Sequence, residues 1–82
     1  MIRIHPHAIQ RMRERGATAE EVRQTVRSGN AAPAKFGRIR FRKTFTFKES
    51  WNGKQFAHKQ IDAFAAMIAE GWIVITIIVR YF

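Results

Sequence analysis

The stretch Glu70-Gly71-Trp72-Ile73-Val74-Ile75-Thr76-Ile77-Ile78-Val79-Arg80-Tyr81-Phe82 decides the fold. Its β-branched residues suit a pleated, buried surface, so it reads as a central strand. It is too short to cross a bilayer as a helix. The Glu70-Gly71 turn feeds straight into it, and a tight turn there implies an antiparallel hairpin partner. The preceding segment, Phe56 to Ala69, carries two periods. Ile61, Phe64, Ala65 and Ile68 fit a helix, while Ile61, Ala63, Ala65 and Met67 fit a strand. The turn tips the reading toward strand.

Working upstream, Asn52-Gly53 is a strong short hairpin signal. Before it the chain alternates strictly. Ile39, Phe41, Phe45 and Phe47 point one way, with Lys43 as the exception among them. Arg38, Arg40, Arg42, Thr44, Thr46 and Lys48 point the other. That is a half-buried strand whose second face opens with a row of arginines. Asn30 to Gly37, punctuated by Pro33 and Gly37, reads as a loop.

The first third is helical. Pro6 suits a first helical turn, where its missing N–H costs nothing, and Gly16 suits a left-handed stop. Thr18 and Glu21 form a capping box for a second helix, with Ala17 and Val22 as its hydrophobic staple. Val22 and Val26 supply its apolar edge, and Gly29 ends it. Ile2 to Ile4 is a short extended lead-in. The expectation is one α+β domain over residues 1–82: a helical hairpin packed on one face of an antiparallel meander of three or four strands.

Composition narrows the function. Fifteen Lys and Arg oppose six Asp and Glu, for a net charge of +9. Such an excess points to a polyanionic partner. The chain has no cysteine, so disulfides and thiolate metal sites are excluded, which suits a reducing cytoplasm. The histidines and carboxylates lack metal-ligand spacing, so no metal or other cofactor is expected. Met1-Ile2-Arg3-Ile4 runs into polar residues rather than the apolar core of a secretion signal, and no membrane association is expected.

His7, Arg11 and Arg15 recur every four residues, which stacks them along one helix face beside apolar Ala8, Ile9 and Met12. A proton-transfer group beside two cations suits phosphodiester chemistry. His7 is the first candidate acid or base, against a helix-start histidine that merely bonds backbone. His58 is the second, and His5 reads as a cap. Arg11 and Arg15 are candidate phosphate contacts, against salt bridges to Glu14, Glu20 or Glu21. Thr76 and Arg80 share a strand face by alternation, and Tyr81 lies on the other. Arg38, Arg40 and Arg42, with Lys48 and Lys54, form the candidate nucleic-acid surface. Trp51 and Phe56 serve either base stacking or core packing.

Taken in order, His7-Ala8, Arg11-Met12, Arg15-Gly16, Glu21-Val22, Phe45 to Phe47, Trp51, Gly53-Lys54, Lys59, Val74-Ile75-Thr76 and Tyr81 resemble a bacterial family of small uncharacterised domains. That family is grouped by fold with barnase, EndoU, the colicin nucleases and the RelE toxins. The resemblance implies a RelE/barnase-like fold and adds Lys59 to Thr76 and Tyr81 as residues of interest. It also implies a small toxin-type, metal-independent endoribonuclease acting on RNA or the ribosome, with an acidic antitoxin or immunity protein as partner. The alternatives are a nucleic-acid-binding module without chemistry and an interaction protein that docks an acidic partner.

Overall fold

The computed structural model describes all 82 residues. Five strands and two helices follow in the order β1 (Ile2–Ile4), α1 (Pro6–Arg15), α2 (Ala19–Ser28), β2 (Asn30–Pro33), β3 (Ile39–Trp51), β4 (Lys54–Ile68) and β5 (Gly71–Tyr81), with a 3-10 turn at Lys35–Gly37. The sheet order is β1-β5-β4-β3-β2. The β2–β3, β3–β4 and β4–β5 pairs are antiparallel, and β1 runs parallel to β5.

The α+β class, the helical hairpin and the β3-β4-β5 meander agree with the sequence reading. Two details differ. Ile2–Ile4 is not a lead-in but a strand on the outer edge of β5, paired Ile2 to Trp72 and Ile4 to Val74. Asn30–Pro33 is not loop but an edge strand, paired Asn30 to Arg42 and Pro33 to Ile39. The sheet is therefore five-stranded and mixed, not an antiparallel sheet of three or four. Both strands are too short to show a period, and the Ala31-Ala32-Pro33 composition of β2 carries little strand signal. Pro33 is tolerated because β2 is an edge.

Local chemistry sets the helices. The His5 side chain caps α1, its Nδ1 accepting from the His7 backbone N–H at 3.1 Å, and Gly16 closes the helix with φ 79°. The Thr18–Glu21 capping box opens α2. Helix α1 lies on β5, and α2 lies on β3 and β4. Ala8 and Met12 of α1 and Val22 and Val26 of α2 meet Phe41, Ile61, Ala63, Ala65, Val74 and Ile77 of the sheet. Ala63 and Ala65 are fully buried on the central strand. Their small side chains let the helices approach closely while Val22, Ile61 and Val74 fill the space between.

Two irregularities place side chains. In β5 the pairing shifts between Phe64 to Thr76 and Ala65 to Val74, leaving Ile75 as a bulge. In β3 a second shift lies between Thr46 and Glu49, with Lys48 at φ 52°. Such a bulge increases local twist. Beyond it Trp51 stacks on Tyr81 at 5.2 Å, and Phe47 and Phe56 complete the cluster at 5.1 and 5.7 Å. Trp51 and Phe56 are thus packing residues. The Asn52-Gly53 turn has positive φ at both positions, as a type I′ hairpin requires.

Candidate nucleic-acid interface

Both helices cover one face of the sheet, so the other face is open. Alternation assigns the two sides. On β4, Lys59, Ile61, Ala63 and Ala65 face the helices, and His58, Gln60, Asp62 and Phe64 face away. Register then brings Arg40, Phe64 and Thr76 into one row and Arg42, Asp62 and Ile78 into the next. Arg80 stands beside Gln60.

Asp62 is the anchor of this face. It is only 1% exposed, yet it sits on the side without helices. Arg42 grips it with two hydrogen bonds, Nε to Oδ1 at 2.7 Å and Nη2 to Oδ2 at 2.9 Å, and Arg80 Nη1 adds a third at 2.9 Å. Burial pushes the Asp62 pKa up, but the hydrogen bonds and charges of Arg42 and Arg80 outweigh it, so the carboxyl is held below its ordinary range. The same hydrogen bond, then the same charge, raises the Arg42 pKa. The carboxylate is ionised at neutral pH and fixes two guanidiniums that remain partly exposed.

Around this anchor lies a hollow of about 500 Å³. Lys35, Arg38, Arg40, Arg42 and Arg80 line it, with Asp62 as the single carboxylate. Phe64 and Thr76 form part of its wall, and Phe36 of the 3-10 turn borders it. Arg40 Nε is buried and has no hydrogen-bond partner within the protein. A buried donor left unmatched is costly, so Arg40 is an uncompensated cation in the wall of this hollow.

A second hollow, about 450 Å³, lies beside β5. Arg11 and Arg15 line it with Thr76 to Val79. Thr76 therefore borders both hollows. His7 borders neither. It is exposed at the opening of α1, its imidazole makes no hydrogen bond, and its backbone N–H donates to His5 Nδ1. Arg11 pairs loosely with Glu14 at 3.6 Å, as one of the sequence alternatives held. The expected union of His7 with Thr76 and Arg80 is not formed: Arg11 and Arg15 reach Thr76 at β5, but His7 lines neither hollow and Arg80 lines only the first.

Lys59 is also placed differently from the expectation that made it a site residue. It is 3% exposed and lies under the turn between the helices. Its Nζ donates to the Gly16 carbonyl at 2.5 Å and to Glu21 Oε1 at 2.8 Å. Tyr81 Oη donates to the Arg15 carbonyl at 2.6 Å. Burial, then the Glu21 charge, raises the Tyr81 pKa and keeps the phenol neutral. These two side chains satisfy carbonyls that end α1, a structural duty. Lys48 and Lys54 are exposed at the far end of the β3–β4 hairpin and do not join the arginine hollow.

His58 is on the open face, stacked on Phe82 at 5.2 Å, with its backbone doubly hydrogen-bonded to Phe82. Asp62, Phe64, Lys35 and Phe36 escaped the sequence reading. One signal for Asp62 was present: it is the only carboxylate in the apolar second half of β4, at a position of open-face parity. Comparison of the chain with family models, curated proteins and solved structures returned no match, so the reading of the site rests on its geometry.

Proposed function

We propose that the open face of the sheet binds RNA through its phosphates. The observation that supports this is the convergence of five cations on one hollow whose single carboxylate, Asp62, is consumed in orienting two of them. Like charges this close repel unless a polyanion covers them. Arg guanidiniums match phosphate geometry in a planar fork. Arg42 and Arg80 are held ready, and Arg38 and Arg40 have no carboxylate partner in the protein.

A second reading, metal-independent cleavage of the bound strand, draws on one observation. His58 pairs with Phe82, so Arg80, two residues earlier on β5, is its diagonal neighbour at about 7–8 Å between backbones. An imidazole and a guanidinium thus share the open face, which His7 does not. In such a reaction the 2′-oxygen attacks phosphorus and the bond to the 5′-oxygen breaks. A base takes the 2′-hydroxyl proton, an acid returns one to the 5′-oxygen, and cations stabilise the charge that builds on the phosphoryl oxygens.

Fluorescence anisotropy with labelled single-stranded RNA across a salt series tests the binding. Each phosphate contact contributes a log–log slope of about −0.7 for a single strand. Four contacts give about −3, and Arg40→Ala lowers the slope by about 0.7. Binding that ignores Arg38→Ala and Arg40→Ala refutes the assignment. Gel analysis of the same RNA tests the chemistry. Fragments that vanish in His58→Ala, with affinity retained, support cleavage on this face. Fragments that vanish only in His7→Ala place the chemistry on α1.

A further inference from the structure

We propose that the arginine hollow takes an unpaired base, stacked on Phe36, and that the ligand is therefore single-stranded. This rests on the RNA reading above and adds to it the form of RNA that is recognised. Phe36 is 85% exposed, the most exposed aromatic of the chain's large apolar side chains. Its backbone is left-handed, with φ 62° and ψ 34°, and Gly37 follows at φ 69°. An aromatic residue rarely adopts that conformation. Packing does not hold it there, since the ring is in solvent. The turn is closed instead by backbone hydrogen bonds, Ala34 N–H to the Arg38 carbonyl at 2.8 Å and Arg38 N–H to the Lys35 carbonyl at 3.3 Å. The ring is thus presented at the hollow by a turn built for the purpose, an observed strain that calls for a functional account.

Its surroundings define the ligand. The Arg38 guanidinium carbon lies 5.7 Å from the Phe36 ring centroid. Phe64, half-buried on β4, supplies a second ring to the same hollow. Rings next to guanidiniums form the combination that holds single strands: cations follow the phosphates, and each base offers a π-face to an aromatic. In a duplex those π-faces are stacked away inside. Its phosphates remain available to the arginines, but Phe36 gains nothing from it.

The test compares three ligands of equal phosphate count: a single-stranded RNA, the same strand with an abasic site at each position in turn, and a blunt RNA duplex. Each is titrated against wild type, Phe36→Ala and Phe36→Trp. Phe36 is exposed, so these variants fold, and circular dichroism checks it. Stacking is lost at one base in Phe36→Ala, which weakens single-strand binding about 5- to 150-fold. Phe36→Trp restores it. Duplex affinity and the salt slope do not change, because no phosphate contact is touched. One abasic position reproduces the Phe36→Ala loss in wild type and adds nothing in Phe36→Ala. If Phe36→Ala binds single strand like wild type, the stacking inference is overturned while the phosphate reading survives. If wild type binds neither RNA form, both fall.

Discussion

Replacing Lys59 by methionine removes an ammonium group but keeps most of its buried stem. Two partners are stranded. The Gly16 carbonyl loses a donor at 2.5 Å, and the Glu21 carboxylate loses its cation at 2.8 Å. Breaking a buried ion pair from one side costs about 3–5 kcal/mol. The Glu21 side chain is 25% exposed, so water recovers part of that loss, and the expected cost is near the lower end, about 3 kcal/mol. In a domain of this size each kcal/mol moves Tm by about 4–8 °C, so the fall is about 12–24 °C. Urea unfolding followed by tryptophan fluorescence reads it, because Trp51 stacks on Tyr81 directly beside the anchored turn. Glu21→Gln makes the second arm of a cycle, and the double variant loses less than the sum of the two by at least about 1 kcal/mol. Folded Lys59→Met binds RNA as wild type does, since Lys59 faces the helices. A variant of wild-type stability that had lost RNA binding would falsify the structural role of Lys59 and restore it to the site.

Three further substitutions probe the geometry. Asp62→Asn removes the charge that orients Arg42 and Arg80. The folded Asp62 pKa lies below its ordinary value near 3.9, so the ionised carboxylate contributes stability that is fully present above about pH 4 and is lost as pH falls through the folded value. Stability curves of wild type and Asp62→Asn therefore run at a constant separation above about pH 4 and converge in acid; parallel curves down to acid unfolding refute the coupling. Gly16→Ala forces a side chain into φ 79°, with its Cβ 2.6 Å from Trp51 Cζ3 and 2.8 Å from Tyr81 Oη. Backbone strain and overpacking together cost about 2–4 kcal/mol. Gly37→Ala, at φ 69° with nothing within 4 Å, shows the backbone part alone, about 1 kcal/mol. Equal losses at the two glycines, measured by urea unfolding, would remove the packing argument.

The parts of the fold legible in the sequence are those that repeat or carry a local signature. Alternation from Ile39 to Phe47, the Asn52-Gly53 turn and the Thr18–Glu21 box each rest on a few neighbouring residues. The Glu70-Gly71 turn made Phe56 to Ala69 a strand despite a competing helical period, and β4 has that form. Strands β1 and β2 were not legible, because a strand of three or four residues is defined by the edge it meets, and that edge lies about 70 residues from β1. The open-face arginines were legible by parity, as was the separation of Thr76 and Arg80 from Tyr81. The union of His7 with them was not something parity could test. Helix spacing fixes which residues share a face of α1, but the side of the sheet on which α1 lies is a tertiary fact.

Strand β4 carries two buried ionisable groups three positions apart, and the difference between them locates the site. Lys59 points to the helices, where its ammonium closes the end of α1 and the start of α2 at once. No apolar side chain could make those bonds, so its charge has a structural use. Asp62 points to the open face, where no helix end or buried carbonyl needs it. A well-packed apolar residue at such a position is often as stabilising as a buried ion pair, or more so. Stability alone therefore gives little reason for a carboxylate at 1% exposure between two half-exposed arginines. Orientation does. Two long flexible side chains are fixed with their remaining N–H groups toward the hollow, and the entropy of ordering them is spent before the ligand arrives. The arginine row of β3 alone would suit a merely solvated face. On the RNA reading proposed above, the arginine row with a buried carboxylate beneath it is organised to hold an anion.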